Sequence, residues 1–543
     1  MLKTKKKTKG GKNKQKAGDK PALSLKEELA LKRKAMQARK EFTSLVSKLV
    51  ASAFFLGLVL FFAGGIKLAA PGALGIIVLT LCYKYPNYAL FAFVIYLPFA
   101  GTVVYWLGGS PIMQLAKDAF FVPVAIAVWQ SCKQQKQPFI VPKTIKTPFL
   151  ILFSCCMLTL LFINGGEQLN PSGGDIPIGL GILGLKVFIG YVPLITCVYY
   201  LIRDLKEFWW LSRIQIVLII ICCVLGLIQY ILLLKGICKG TTGVEGDLLF
   251  KASLDSRCYF GGALLYSPDQ GVIRLPGTFV APWQWGWFLI SSTFFAYATI
   301  FSDKSIIWRL IGIVAAVLVF MNAVVCGQRI ALALVPVSFV VLLLLTGQLA
   351  NLKKFIPLGG GLLVILFIAM AANPTLVQER TDSFVSRWNA SPPHQFIVDQ
   401  FHENWKSVDD KPLGAGLGKA TNSARVMGST KLVETYYPKV LYEVGIVGVL
   451  AFLIFVTCIT KAAFKTYRSI KNRNLRTYGA SMWVFVLFIS YNTYYYPLDV
   501  DPVAVYYWLC AGIIFKLPIL DKQIVPEETT DKTKDKKKRL NKK

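Results

Sequence analysis

Unbroken apolar runs constrain this chain more than any other feature. "IVLIIICCVLGLIQYILLL" (216–234) and "IPLGGGLLVILFIAMAA" (356–372) are two of many. Each approaches the ~20 helical residues that cross a hydrocarbon core. In such surroundings backbone polar groups are satisfied only within the segment itself, so each run is a helix and the whole a polytopic membrane protein. Composition agrees: 55% of the 543 residues are hydrophobic and 17% charged.

The net charge of +32 falls largely in two tails, "MLKTKKKTKGGKNKQKAGDK" and "DKTKDKKKRLNKK", and in short loops. Basic segments placed this way orient a membrane protein and lie against anionic headgroups. An RNA-binding arm would interleave aromatic stacking residues, which the tails lack. No nucleic acid partner is expected, and the tails read as disordered, lipid-facing cytoplasmic segments. The long polar segment before the first run excludes a cleavable signal peptide and makes that run a retained anchor. Within it, "SLKEELALKRKAMQARKEF" has Glu/Lys spacing that supports a helix.

The expected fold is all-α with about fourteen transmembrane helices, near 45–64, 68–83, 88–107, 112–130, 147–163, 180–201, 208–234, 281–301, 306–325, 329–347, 355–372, 439–460, 477–496 and 501–518. Alternate loops are basic ("SCKQQKQPFIVPKTIKTP", "SDKS", "KAAFKTYRSIKNRNLR") or acidic to neutral ("GGEQLNPSGGDIPIG", "YYPLDVDP"). That alternation puts both termini in the cytoplasm. The organisation is then a basic tail (1–43), helices one to eleven (44–372) with an outer loop at 235–280, a large exterior loop (373–438), three further helices (439–518) and a basic tail (519–543). Long loops carry function more often than short ones. Of the twelve cysteines most fall in spans. Cys238 and Cys258 share the first outer loop, either as a disulfide in an oxidising compartment or as two free thiols.

Several groups could carry chemistry. "IRLPGTFVAPWQWGWF" holds Arg274, followed by Trp283, Trp285 and Trp287, which read as an interfacial aromatic belt. Arg329, in the short turn "CGQRIA", suits a phosphate because guanidinium donates two parallel hydrogen bonds. Arg380 and Arg387 lie seven apart in the large loop, two turns of one helical face. Apolar spacing in "HQFIVDQFHENW" indicates an amphipathic surface helix. The two histidines, His394 and His402, are here, each read first as solvated and second as a base. Charges inside spans normally face a partner or cavity. Lys117 and Asp118 are expected to brace neighbouring helices, and Lys186 to add a third cation to an outer cavity. No Cys/His cluster suggests a metal.

Taken in order, "RLPGTFVAP" (274–282), "CGQRIA" (326–331), "KPLGAGLG" (411–418) and "ETYYPKVLYEVGIVG" (434–448) resemble the O-antigen ligase and polysaccharide polymerase superfamily of bacterial membranes. The matching positions are Arg274, Gly277, Phe279 and Pro282; Arg329; Pro412, Gly414, Gly416 and Gly418; and Leu441, Glu443, Gly445 and Gly448. The basic termini also look like those of cyanobacterial hormogonium polysaccharide proteins. The resemblance implies a GT-C-like fold and a metal-independent glycosyltransferase without cofactor. It also implies an undecaprenyl-pyrophosphate-linked glycan as donor, with other polysaccharide assembly proteins as partners. Outer arginines would stabilise the departing pyrophosphate, and a base would take the proton of the attacking sugar hydroxyl.

The family's histidine stands nine positions before Glu443, where this chain has Glu434. Glu434 is accordingly the candidate base. His402 is the fallback, and an acid favoured by the helix dipole is the structural alternative. Polymerase and ligase differ only in the acceptor, and the hormogonium-type likeness leans toward polymerase. A lipid-glycan flippase or solute transporter is the competing class.

Overall fold

The computed structural model describes residues 25–109, 113, 116–171, 173–244, 254–267, 272–348 and 391–540, with isolated positions between 371 and 389. The fold is all-α, with one two-stranded sheet among the described residues. The chain divides into two units at Thr80.

In the first unit, α1 (Leu25–Gly64) is a single 40-residue helix. The Glu/Lys-rich segment and the first apolar run merge because no proline separates them. α2 (Ile66–Lys84) follows and carries Pro71.

The second unit, from Leu81, takes in the last turn of α2 and then α3 (Pro86–Tyr96) and α4 (Ala100–Trp106), joined by a 3₁₀ turn. Next come α5 (Asp118–Gln134) and α6 (Lys146–Leu158), which widens into a π segment, Thr159–Asn164, before α7 (Gly165–Gln168). α8 (Pro177–Ile189) and α9 (Pro193–Leu201) meet at a 46° bend, with Pro193 at the break. α10 (Leu205–Leu234) starts on an Asp204 cap whose carboxylate accepts from the Lys206 and Glu207 amides. The strands β1 (Leu265–Ser267) and β2 (Val272–Arg274) pair antiparallel, Leu265 opposite Arg274. α11 (Pro282–Ser302), α12 (Ile306–Val325) and α13 (Arg329–Leu345) follow, and α14 (Pro393–Lys406) lies in the long loop. α15 (Tyr436–Arg468), α16 (Arg473–Tyr491) and α17 (Val503–Leu540) complete the chain.

A helix stands at every expected span except 355–372, which apart from position 371 lies outside the described residues. Length and apolarity together are more selective. Among the described residues, seven helices are long and apolar enough to cross a membrane, or eight if the bent α8–α9 pair is one span. The count of fourteen is not reached on that measure, and α11 shows one physical reason. It packs against α10, α12, α13, α16 and α17, and nearly all its residues are buried by protein. A helix enclosed this way can carry hydroxyls: Ser291 and Thr293 donate back to the Trp287 and Leu289 carbonyls at 2.8 and 3.1 Å.

Two other expectations change, and one open alternative is decided. Trp285 and Trp287 form no interfacial belt but are fully buried, with Trp285 stacked on Phe288. An indole suits a protein interior as well as a headgroup layer once its N–H is placed. The C-terminal tail, expected to be disordered, continues α17 to Leu540. Acid–base spacings such as Glu528 to Lys532 favour helix there. Cys238 and Cys258 are disulfide-bonded, Cα atoms 5.4 Å apart. Their loop is strapped to α10 by Gln229. Its amide nitrogen donates to the Phe260 and Gly277 carbonyls, and its oxygen accepts from the Gly277 amide.

Candidate functional site

Backbone contacts bring the first two motifs together. The Leu275 amide donates to the Cys326 carbonyl at 3.0 Å, so the end of β2 runs along the turn preceding α13. Gly327 makes that approach possible. Its φ is +69°, and a Cβ there would fall 1.7 Å from the Ile273 carbonyl oxygen. Arg274 and Arg329 are thereby held at one end of the helix bundle, both partly buried. Each feels the other's charge: the Arg274 guanidinium is lowered from its ordinary value, first by burial and further by Arg329.

The third member arrives from a segment more than a hundred residues onward. Thr435 forms an isolated antiparallel bridge with Tyr494, and the Tyr436 amide donates to the Thr493 carbonyl at 2.7 Å. These bonds fix the start of α15 against the loop after α16. Glu434, just ahead of α15, is half-buried, and its amide donates to Gln400 Oε1 on α14 at 3.2 Å. Burial raises the Glu434 carboxyl above its usual range, while the fields of Arg274 and Arg329 pull it back down. The three side chains therefore share one electrostatic environment.

The wall of this environment is a run of tyrosines. Tyr494 is pushed up to about 12 and Tyr496 higher still, burial leading in both cases and the Glu434 charge adding to it. Tyr495 and Tyr496 sit at φ of +55° and +32°, a region that disfavours side-chain-bearing residues. Trp287 Nε1 clamps the turn by donating to the Tyr495 carbonyl at 3.1 Å. Two positive-φ residues in succession mark a conformation that the surroundings impose. Sequence reasoning missed Gln400 and Tyr494–Tyr496. The run "YNTYYYPLD" was the available signal.

The remaining candidates lie elsewhere. His402 is exposed on α14, two residues from Gln400 and so on the opposite side of the helix, which disfavours it as the fallback base. His394 is likewise exposed. Arg380 and Arg387 lie outside the described residues. Lys186 is not a third cation of the cluster. It pairs with Asp118 at 2.6 Å, and the Tyr191 hydroxyl donates to the same carboxylate at 2.8 Å. Lys117 pairs with Asp501, and buried Lys439 with buried Asp499. The intramembrane charges anticipated at Lys117 and Asp118 do have partners on neighbouring segments.

The remainder of the fourth motif, after Glu434, is structural in this fold. Glu443 accepts from the Ala420 amide (2.8 Å) and the Thr421 hydroxyl (2.9 Å). The Ala415 and Gly416 amides donate to the Tyr442 and Glu443 carbonyls, which α15 leaves available by breaking at Gly445 (φ +67°, ψ −175°). Asn164, in the π segment, clamps the other side, donating to the Leu417 carbonyl and accepting from its amide. The glycine-rich loop is thus fastened between two helices, directly before the residues that carry Glu434. No family model matches this chain, and comparison with curated proteins finds no match.

Proposed function

We propose that the chain is a membrane glycan polymerase or ligase that works on the outer leaflet with a lipid-pyrophosphate-linked glycan as donor. The reading takes both termini as cytoplasmic, includes the shorter helices among about fourteen spans of a GT-C-like fold, and puts the Arg274–Arg329–Glu434 cluster on the exterior side. One observation carries it. Two arginines and a carboxylate, drawn from three distant segments, share a partly desolvated site in which each arginine acts on the carboxylate.

In that site the acceptor hydroxyl oxygen attacks the anomeric carbon of the donor sugar. The bond from that carbon to the pyrophosphate oxygen breaks, its electron pair stays with the lipid pyrophosphate, and the hydroxyl proton passes to the Glu434 carboxylate. Arg274 and Arg329 offset the charge gathering on the leaving group, a role in which fixed cations are most effective away from water. The same two cations keep Glu434 ionised although burial favours its neutral form. Tyr494 and Tyr496 supply apolar faces with hydroxyl edges, a chemistry that suits sugar rings.

The test is polysaccharide output in a strain carrying Glu434→Gln in place of the natural chain. Loss of a general base lowers turnover by about 10²–10⁴-fold, so polymer should fall to traces while protein level stays normal. Accumulated single lipid-linked repeat units identify a polymerase, and accumulated full-length lipid-linked polymer a ligase. Normal polymer from Glu434→Gln rejects the assignment.

A further inference from the structure

A second concavity of about 550 Å³ opens beside the glycine-rich loop. Its polar lining is Glu167, Ser407, Lys411, Lys419, Lys431 and Tyr442. Three ammonium groups thus face one lining carboxylate. Lys419 pairs with Glu167 at 2.5 Å. Lys431 is held by Glu403 at 2.9 Å, reaches the Ser407 hydroxyl at 3.5 Å and lies 5.2 Å from the centre of the Tyr442 ring. Lys411 is exposed and makes no ion pair among the described residues. The pocket therefore presents net positive charge, a hydroxyl and an aromatic face.

Its position relative to Glu434 is set by α14. Gln400 takes the Glu434 amide, Glu403 holds Lys431 one turn later, and Ser407 follows one further turn on. A helix rises about 5.4 Å per turn, close to the length of one pyranose in a chain. From this layout, and resting on the transferase reading above, we propose that the pocket is an acceptor subsite for a negatively charged sugar, a uronate or a comparably acidic residue, one to two units from the reacting hydroxyl. Lys411 receives the carboxylate, Lys431 adds its charge beside it while held by Glu403, and Tyr442 lines the same wall. The Lys419–Glu167 pair anchors the wall. The charge selects acceptors that already carry an acidic unit, which makes the enzyme selective for its own polymer.

The experiment measures binding of tetragalacturonate, and of neutral maltotetraose as its control, to the full-length protein in lipid nanodiscs. Tetragalacturonate should bind about tenfold or more tighter than the control, the equivalent of one charge-assisted contact. That preference should weaken with salt, disappear in Lys411→Glu/Lys431→Gln and survive in Lys411→Arg. Equal affinity for both oligosaccharides, or a preference that persists in the double variant, overturns the subsite. So does displacement of tetragalacturonate by phosphatidylglycerol vesicles at matched charge, which assigns the pocket to a lipid headgroup. Glu434→Gln separates this inference from the one it rests on. If that variant keeps both the preference and normal polymer output, the transferase reading fails and the pocket stands as a binding site alone.

Discussion

Two groups of charges gather near one end of the helix bundle, and they are built differently. Around Asp118, Asp499 and Asp501 every carboxylate meets a lysine: Lys186, Lys439 and Lys117. Tyr191 spreads its ring under two of those ammonium groups, 5.4 Å from each. Around Glu434 two guanidinium groups outnumber one carboxylate, and both arginines act on it electrostatically. Closed pairs consume their own electrostatics and fix the packing of helices. A group open in its charge balance, with two cations to one acid, has surplus positive field for a ligand, and a ligand suited to it is an anion that also brings a proton to remove.

The largest effect that would break this distinction concerns Arg329. Removing a preorganised donor to a developing oxyanion costs about 10²–10³-fold in turnover. If Arg329 clamps a pyrophosphate through parallel hydrogen bonds, Arg329→Lys should fail nearly as badly as Arg329→Ala, because lysine keeps charge but loses the fork. Polymer output measures the loss, with thermal unfolding in detergent as the control. Normal output from Arg329→Lys reduces the site to plain positive charge.

In the closed group the expected loss is of stability instead. Lys439 and Asp499 are each about 95% buried, so Lys439→Met strands a carboxylate away from water. Breaking a buried pair on one side costs about 3–5 kcal/mol, whereas replacing both members by apolar residues is often neutral. Lys439→Met should therefore unfold at markedly lower temperature, and Lys439→Met/Asp499→Leu should recover most of the difference. A double variant as weak as the single would mean that the pair does more than hold helices together.

A smaller effect tests what positions the open group. Gly445 sits where only glycine is comfortable, and a Cβ would fall 2.1 Å from the Pro412 carbonyl oxygen. Gly445→Ala should cost about 1–3 kcal/mol from backbone strain alone. The same change should loosen the 411–418 loop, seen as faster limited proteolysis there. If stability and proteolysis are both unchanged, the helix break is not the anchor described above.

Both groups were partly legible in the sequence, and the difference between them was not. Apolar runs marked the helices because the bilayer imposes a local rule on composition, and Arg274, Arg329 and Glu434 were visible as motif positions. Lys186 was misassigned because depth along a span says nothing about Asp118, a partner 68 positions earlier in the sequence. The tryptophans were misread because a buried core and a headgroup layer favour the same indole. Gln400 and Tyr494–Tyr496 join the site only through long-range contacts, the bridge from Thr435 to Tyr494 and the hydrogen bond from Glu434 to Gln400. Periodicity carries no trace of such contacts.

The finest test of the open group is the direction in which its pH dependence moves. Glu434 accepts a proton in the proposed reaction, so activity requires its ionised form and should decline on the acid side as the carboxyl protonates. Burial sets that limb higher than for an ordinary glutamate, and Arg274 and Arg329 hold it lower than burial alone would. Arg274→Gln removes one of the two opposing fields, so the Glu434 carboxyl rises further and the acid limb shifts toward higher pH. Lys186→Gln removes a cation from the closed group and should leave the limb where it is. Residual transfer to a soluble acceptor, followed against pH in nanodiscs, separates the limb position from the overall loss of rate. A limb that stays fixed in Arg274→Gln, or moves in Lys186→Gln, would assign the titration to a group other than Glu434.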